Sequence, residues 1–233
     1  FQPWYHNSSL DANHAICWTD GACSFNGDPR LAAASYSVVW GVGHPHNCSS
    51  PLPGPMQSNS RAELAAIVTA VTTYHGSIEV RTDSKYCMTT LASLLSCPEE
   101  IRRVDHEDLW RLVMLQADRF RRCEAVVTYV KGHARHRDVL RGKITHMDLT
   151  HNHEADRLAV EAAKEMMPPA SLVSSVKTND ALAYNLHHYL FHFFECWAAT
   201  STAFQAGARR VRLDPDLEYT LIQDAEIAKR FGN

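Results

Sequence analysis

The chain has 233 residues, 45% hydrophobic and 21% charged, with a formal net charge of −3. Such a chain buries a real core, which excludes wholesale disorder, and its charge excludes a protein that coats nucleic acid through bulk positive charge. Seven cysteines, scattered and without a C-x-x-C, exclude a disulfide framework and a cysteine zinc site; they point to free thiols in a reducing, intracellular setting, cytoplasm or nucleus.

The opening FQPWYHNSSL has no basic n-region and no apolar h-region, so no signal peptide is expected. The missing initial Met suits a piece of a longer polypeptide. Ala15 to Thr19 is short and apolar and predicts a strand, which Asp20-Gly21 ends or interrupts. Asn26-Gly27-Asp28-Pro29 marks a turn, and Leu31 to Val42 resumes as a second strand. Residues 44–60 hold four prolines and no periodicity, so they predict a loop.

A helix is expected from about Arg61, with Leu64, Ile67, Val68 and Val71 at helical spacing, ending at Gly76. Ser77 to Thr82 alternates as a strand and delivers Asp83 at its end. Ser84 to Leu95 predicts a second helix, closed by Cys97-Pro98. A third runs from about Glu107, with Leu109, Leu112, Val113, Leu115, Ala117 and Phe120 inward. Ala125 to Val130 is the next strand. After a polar loop, a last helix carries Ala155, Leu158, Ala159, Ala162 and Ala163 on one face, and Met167-Pro168-Pro169 stops it. Neighbouring strands followed by βα crossovers imply an α/β domain, a mixed sheet flanked by helices, over residues 14–166.

Pro168 to Thr178 reads as a linker, and residues 171–233 as a helical C-terminal extension. Its main helix, Asp180 to Gln205, carries an apolar stripe of Leu182, Leu186, Tyr189, Leu190, Phe193, Phe194 and Trp197. Such a stripe calls for cover, either by docking on the rest of the chain or by a protein partner. Three histidines, Asn185 and Glu195 make this stretch a poor membrane span, so no membrane partner is expected.

Four acids fall where this layout gathers side chains at one sheet edge: Asp20 in WTDGA, Glu63 in SRAEL, Asp83 in RTDSKY and Asp156 in NHEADRLA. Singly each has a bland role: a turn residue, a charge near a helix N-terminus, a helix cap, a surface charge. Together they repel one another unless a hard divalent cation neutralises them. Oxygen-only ligands suit Mg²⁺ or Mn²⁺ and not zinc. Two such ions clamp the attacking and leaving oxygens of a phosphodiester.

Thr-Asp-Gly, Arg-Ala-Glu-Leu, Thr-Asp-Ser-Lys-Tyr, Val-Lys-Gly-His-Ala and Asn-x-x-x-Asp-x-Leu-Ala occur in that order. Residues 14–166 therefore resemble a type 1 ribonuclease H domain, whose fold is a five-stranded mixed sheet flanked by helices. The resemblance implies that Asp20, Glu63, Asp83 and Asp156 hold two Mg²⁺ ions, with Mn²⁺ an alternative. The implied reaction is cleavage of the RNA strand of an RNA–DNA hybrid. It also implies that His133, on a loop, aids proton transfer or product release. Asn26 and Ser58 would hold the DNA-strand phosphate, Asn59 would read the minor groove, and Asn152 precedes the last acid.

Some residues depart from the family pattern. Lys85 stands where a hybrid-contacting glutamine is common, and Ser60 where a second asparagine is. Residues 98–107 are too short for the extra helix and basic protrusion of bacterial enzymes, leaving Arg102 and Arg103. The 19-residue interval from His133 to Asn152 looks like domains in eukaryotic non-LTR retrotransposon polyproteins, which suits a part of a larger polypeptide. Residues 101–143 hold eleven basic and six acidic side chains, a local excess that favours phosphate contact. Two other readings differ in what the acids predict. A silent hybrid-binding module has no reason to keep four acids. A 3′–5′ exonuclease needs Asp-x-Glu in its first strand, and Asp20-Gly21-Ala22 lacks it.

Overall fold

The computed structural model describes residues 14–200, so the opening decapeptide and the end of the extension, 201–233, lie outside the described residues. Five strands form, all but β3 on runs that hold β-branched residues: β1 (Ala15–Ser24), β2 (Ala33–Val39), β3 (Cys48–Pro51), β4 (Ile78–Thr82) and β5 (Ala125–Tyr129). They form one sheet in the order β3-β2-β1-β4-β5. β2 pairs antiparallel with β1 and β3, whereas β4 pairs parallel with β1 and β5. The expected mixed, five-stranded α/β sheet is present.

Helices cover both faces. α1 (Asn59–Thr73) is capped by Ser58, whose side chain accepts from the Arg61 N–H. α2 (Lys85–Ser96) is capped in the same way by Ser84. Leu64, Ile67 and Val71 of α1 join Leu91 and Leu94 of α2 and Cys17, Ile78 and Val80 of the sheet in the main core. α6 (His146–Glu165) covers the other face through Ala155, Ala159, Ala162 and Ala163, all buried. These short side chains let the helix backbone lie against the sheet, close enough for Ser37 Oγ of β2 to donate to the Ala155 carbonyl at 2.7 Å.

Several expectations are corrected. β1 does not stop at Asp20-Gly21; it runs on to Ser24, paired with β2 from Trp18 onward. The proline-rich loop contains β3, because Cys48 to Pro51 finds a free edge on β2, and Leu52 after it is buried. The third helix is two, α3 (Glu107–Met114) and α4 (Ala117–Arg121), with Leu112 and Leu115 exposed rather than inward. Trp110 and Val113 take the buried positions of α3 instead. The polar loop holds a short α5 (His136–Leu140), and α6 starts ten residues ahead of Asp156.

Residues up to Pro168 form one compact unit and those from Pro169 a second. In the second, α7 (Ala170–Thr200) is helical through most of the supposed linker, since Pro169 is tolerated just ahead of a helix start. The stripe residues Leu182, Leu186, Tyr189 and Phe193 are each more than half exposed. No helix among the described residues is long and apolar enough to cross a membrane.

Candidate active site

The parallel register of β1 and β4 pairs Thr19 with Thr82, so Asp20 and Asp83, the next residues on each chain, stand abreast. β4 ends there, and β1 continues with only β2 beside it. Glu63 arrives from α1 because Gly21 carries no side chain. A Cβ on Gly21 would lie 2.4 Å from the Glu63 backbone nitrogen. The Asp-Gly pair, which reads locally as a turn, is thus a seat for α1. One oxygen from each of Asp20, Glu63 and Asp83 lies within 4.8 Å of the others.

These carboxylates are poorly compensated. Asp20 and Glu63 are buried and Asp83 is half-buried. Burial, then the charges of Asp83 and Asp156, push the Asp20 carboxyl up to about 8. Burial and the charges of Asp20 and Asp83 push Glu63 up to about 9. Asp83 is raised by burial, although the nearby His133 charge and a hydrogen bond from Asn152 pull the other way. Asn59 Nδ2 donates to Glu63 Oε1 at 3.3 Å, but Glu63 Oε2 is buried with no partner. An all-oxygen trio with an orphaned buried oxygen fits a hard divalent cation.

The fourth acid stands slightly apart. Asp156 lies half-buried in the middle of α6, outside the tight trio, though its charge reaches Asp20 and Asp83. Asp156 sits ten residues into α6, which begins at His146. His133 is exposed, with a left-handed φ of 47°. It follows Gly132, where a Cβ would collide with the Asp83 carboxylate, so the loop lies directly against the site. Asn152 is buried on α6 and donates to Asp83.

The other sequence candidates divide into two places. Asn26, Ser58 and Asn59 meet at the start of α1, where the Asn59 N–H donates to Asn26 Oδ1 at 3.1 Å. That helix end offers backbone N–H groups and a partial positive charge to an anion. Lys85 is exposed at the first position of α2, its Nζ 5.5 Å from the Tyr129 ring centre. Sequence reasoning missed His106, which adopts a left-handed φ of 65° and whose Nε2 lies 3.1 Å from Ser60 Oγ. No local motif marks it.

An RNase H family model matches residues 12–164, about two thirds of the chain. The chain belongs to the RNase H family. Its RNase H domain is 31% identical over 140 residues to Ribonuclease H of Schizosaccharomyces pombe, a match that covers 55% of this chain and 50% of that protein. Ribonuclease H1 of Rattus norvegicus is 49% identical over 57 residues, covering 24% of this chain and 19% of the relative. The chain thus spans half, or less, of the length of the curated relatives it matches. Among solved structures, a PFV RNase H domain in solution superposes with a TM-score of 0.47 at 20% identity, covering 64% of this chain and 93% of that one. The crystal structure of LC11-RNase H1 in complex with RNA/DNA hybrid gives 0.41 at 18% identity, covering 65% and 97%.

Proposed function

We propose that residues 14–166 are a catalytic domain that hydrolyses the RNA strand of RNA–DNA hybrids, leaving 3′-OH and 5′-phosphate ends. The observation that carries this reading is the buried trio of Asp20, Glu63 and Asp83, with one Glu63 oxygen unpartnered, in a domain of the RNase H family. Asp20, Glu63, Asp83 and Asp156 would hold two Mg²⁺ ions, or Mn²⁺ in their place. Bound there, the ions supply an activated water and neutralise charge on the phosphodiester.

The chain's own residues do the rest. Asn59 orients Glu63 and Asn152 orients Asp83, each by a hydrogen bond to the carboxylate. His133, beside Asp83 and exposed, would move a proton to or from the departing strand. Asn26 and Ser58 at the start of α1 would hold a phosphate of the DNA strand, with Asn59 and Lys85 against the groove. A hybrid is told from duplex DNA by its groove shape and 2′-OH groups, not its base edges.

Residues 171–233, which hold no carboxylate of the trio, would be a separate extension, with its apolar helix a contact for a protein partner or for the rest of the chain. Incubating the full chain with an end-labelled hybrid in Mg²⁺ and in EDTA tests the reading. Cleavage of only the RNA strand, in Mg²⁺ alone, is expected. An uncut hybrid in Mg²⁺ and in Mn²⁺ sinks it.

A further inference from the structure

Most arginines of the first unit are committed to acids. Arg30, Arg61, Arg111, Arg121, Arg122 and Arg157 each form an ion pair at the surface. Arg102 and Arg103 are exposed without one among the described residues, and so is a whole run of cations, in the segment 135–143. Arg135, Arg137, Arg141 and Lys143 are all exposed, and none forms an ion pair among the described residues. The single acid of the segment, Asp138, is buried and turned inward, where it pairs with Lys131 at 2.7 Å and accepts from the Arg135 N–H at 3.0 Å. Four exposed cations are thus left without an ion-pair partner among the described residues.

The segment is held firmly and close to the site. Ala134 and Ile144 at its two ends are buried. His153 Nε2 lies 3.1 Å from the Ala134 carbonyl, so α6 grips the segment one turn ahead of Asp156. On the other side Gly132 abuts the Asp83 carboxylate. Arg135 is three positions beyond Gly132, a span of at most about 10 Å. The cations therefore begin within a few nucleotides of any strand seated on the carboxylates, because phosphates follow one another about every 3.4 Å of helix axis.

We propose that α5 and the turn after it form a phosphate-binding platform that grips the hybrid beside the cleavage site. This rests on the hybrid being the substrate. The platform adds affinity through released counterions and takes no part in the chemistry. It also accounts for the inward Asp138, since an outward carboxylate there would repel the strand.

The test measures binding of a fluorescent hybrid to the full chain in EDTA, between about 50 and 200 mM salt. Arg137→Ser/Arg141→Ser/Lys143→Ser should lower the slope of log affinity against log salt by about 2–3, at roughly 0.7–0.9 per lost phosphate contact. Turnover at saturating hybrid in Mg²⁺ should stay within about twofold, as these residues touch no reacting atom. Arg121→Ser/Arg122→Ser, which removes paired cations elsewhere, should leave the slope alone. An unchanged slope in the triple variant, or an equal fall in the paired-cation variant, overturns the platform. Should the triple variant unfold, Arg141→Gln alone must lower the slope by about one. If the unaltered chain binds no hybrid, the functional reading falls and the platform with it; binding with an unchanged slope removes the platform only.

Discussion

Two clusters of buried charge lie one after the other along β1 and β4, and they are treated in opposite ways. In the first, Arg81 donates to Glu79 at 3.0 Å and to Asp148 at 2.6 Å, and Asp148 also accepts from Trp18 Nε1 and Thr145 Oγ1. Burial alone would raise Glu79 and Asp148, yet these bonds hold both below the usual carboxylate range. In the second, two residues further along each strand, Asp20 and Asp83 face Glu63 with no cation among them, and all three are raised. The first cluster fastens α6 to the sheet. The second is stable only as something to be completed, and that difference marks where ligand chemistry belongs.

Asp20→Asn breaks the contrast most completely. The amide keeps the shape but cannot neutralise a cation, so hybrid cleavage should vanish while the fold remains, as far-UV circular dichroism and a gel assay will show. His133→Ala should slow turnover by about 10²–10⁴-fold at most without abolishing it, because a proton-transfer or release role is smaller than loss of a metal ligand. Loss as complete as that of Asp20→Asn would remove His133 from that role.

Asp148→Ala turns the satisfied cluster into an unsatisfied one. It leaves Arg81 half-compensated inside the fold and should destabilise the domain by about 3 kcal/mol in denaturant unfolding. Hybrid cleavage by the folded fraction should persist, since Asp148 is no metal ligand.

The acidity of the second cluster gives a signed pH dependence. Asp20 and Glu63 keep their protons in the metal-free folded chain at a pH where the unfolded chain has released them. Their contribution to stability is complete below the ordinary carboxylate range and is lost as pH rises toward about 8 for Asp20 and about 9 for Glu63. In EDTA the thermal midpoint should therefore fall between about pH 6 and 9, and Mg²⁺ should flatten that fall. A midpoint equally flat in EDTA would mean that the carboxylates are compensated by the protein itself.

The smallest effect is expected from the far end of the chain. Ending the chain after about residue 170 should leave Mg²⁺-dependent cleavage at full specific activity and change only solution behaviour, as light scattering will register. A folded but inactive product would place α7 inside the active domain.

The motifs around Asp20, Glu63, Asp83 and Asp156 were legible because each rests on local chemistry: an alternating strand, an amphipathic helix, a serine cap. So were the mixed sheet and the halt at Met167-Pro168-Pro169. β3 was not legible, because a four-residue edge strand among prolines forms only when β2 offers it partners. The Asp20-Gly21 pair has the composition of a turn, and only the approach of α1 to within 2.4 Å of the missing Cβ makes it the middle of a strand. The early start of α6 depends on Asp148 finding Trp18 and Arg81, residues 130 and 67 positions away. The sequence by itself determined the side-chain types and local elements that make up the candidate site, since side-chain type and local periodicity are properties of neighbours along the chain. Which carboxylates share a site, which charges are paired and which cations are left facing outward was decided by the tertiary structure alone, because burial and Coulomb energy depend on distances that only packing sets.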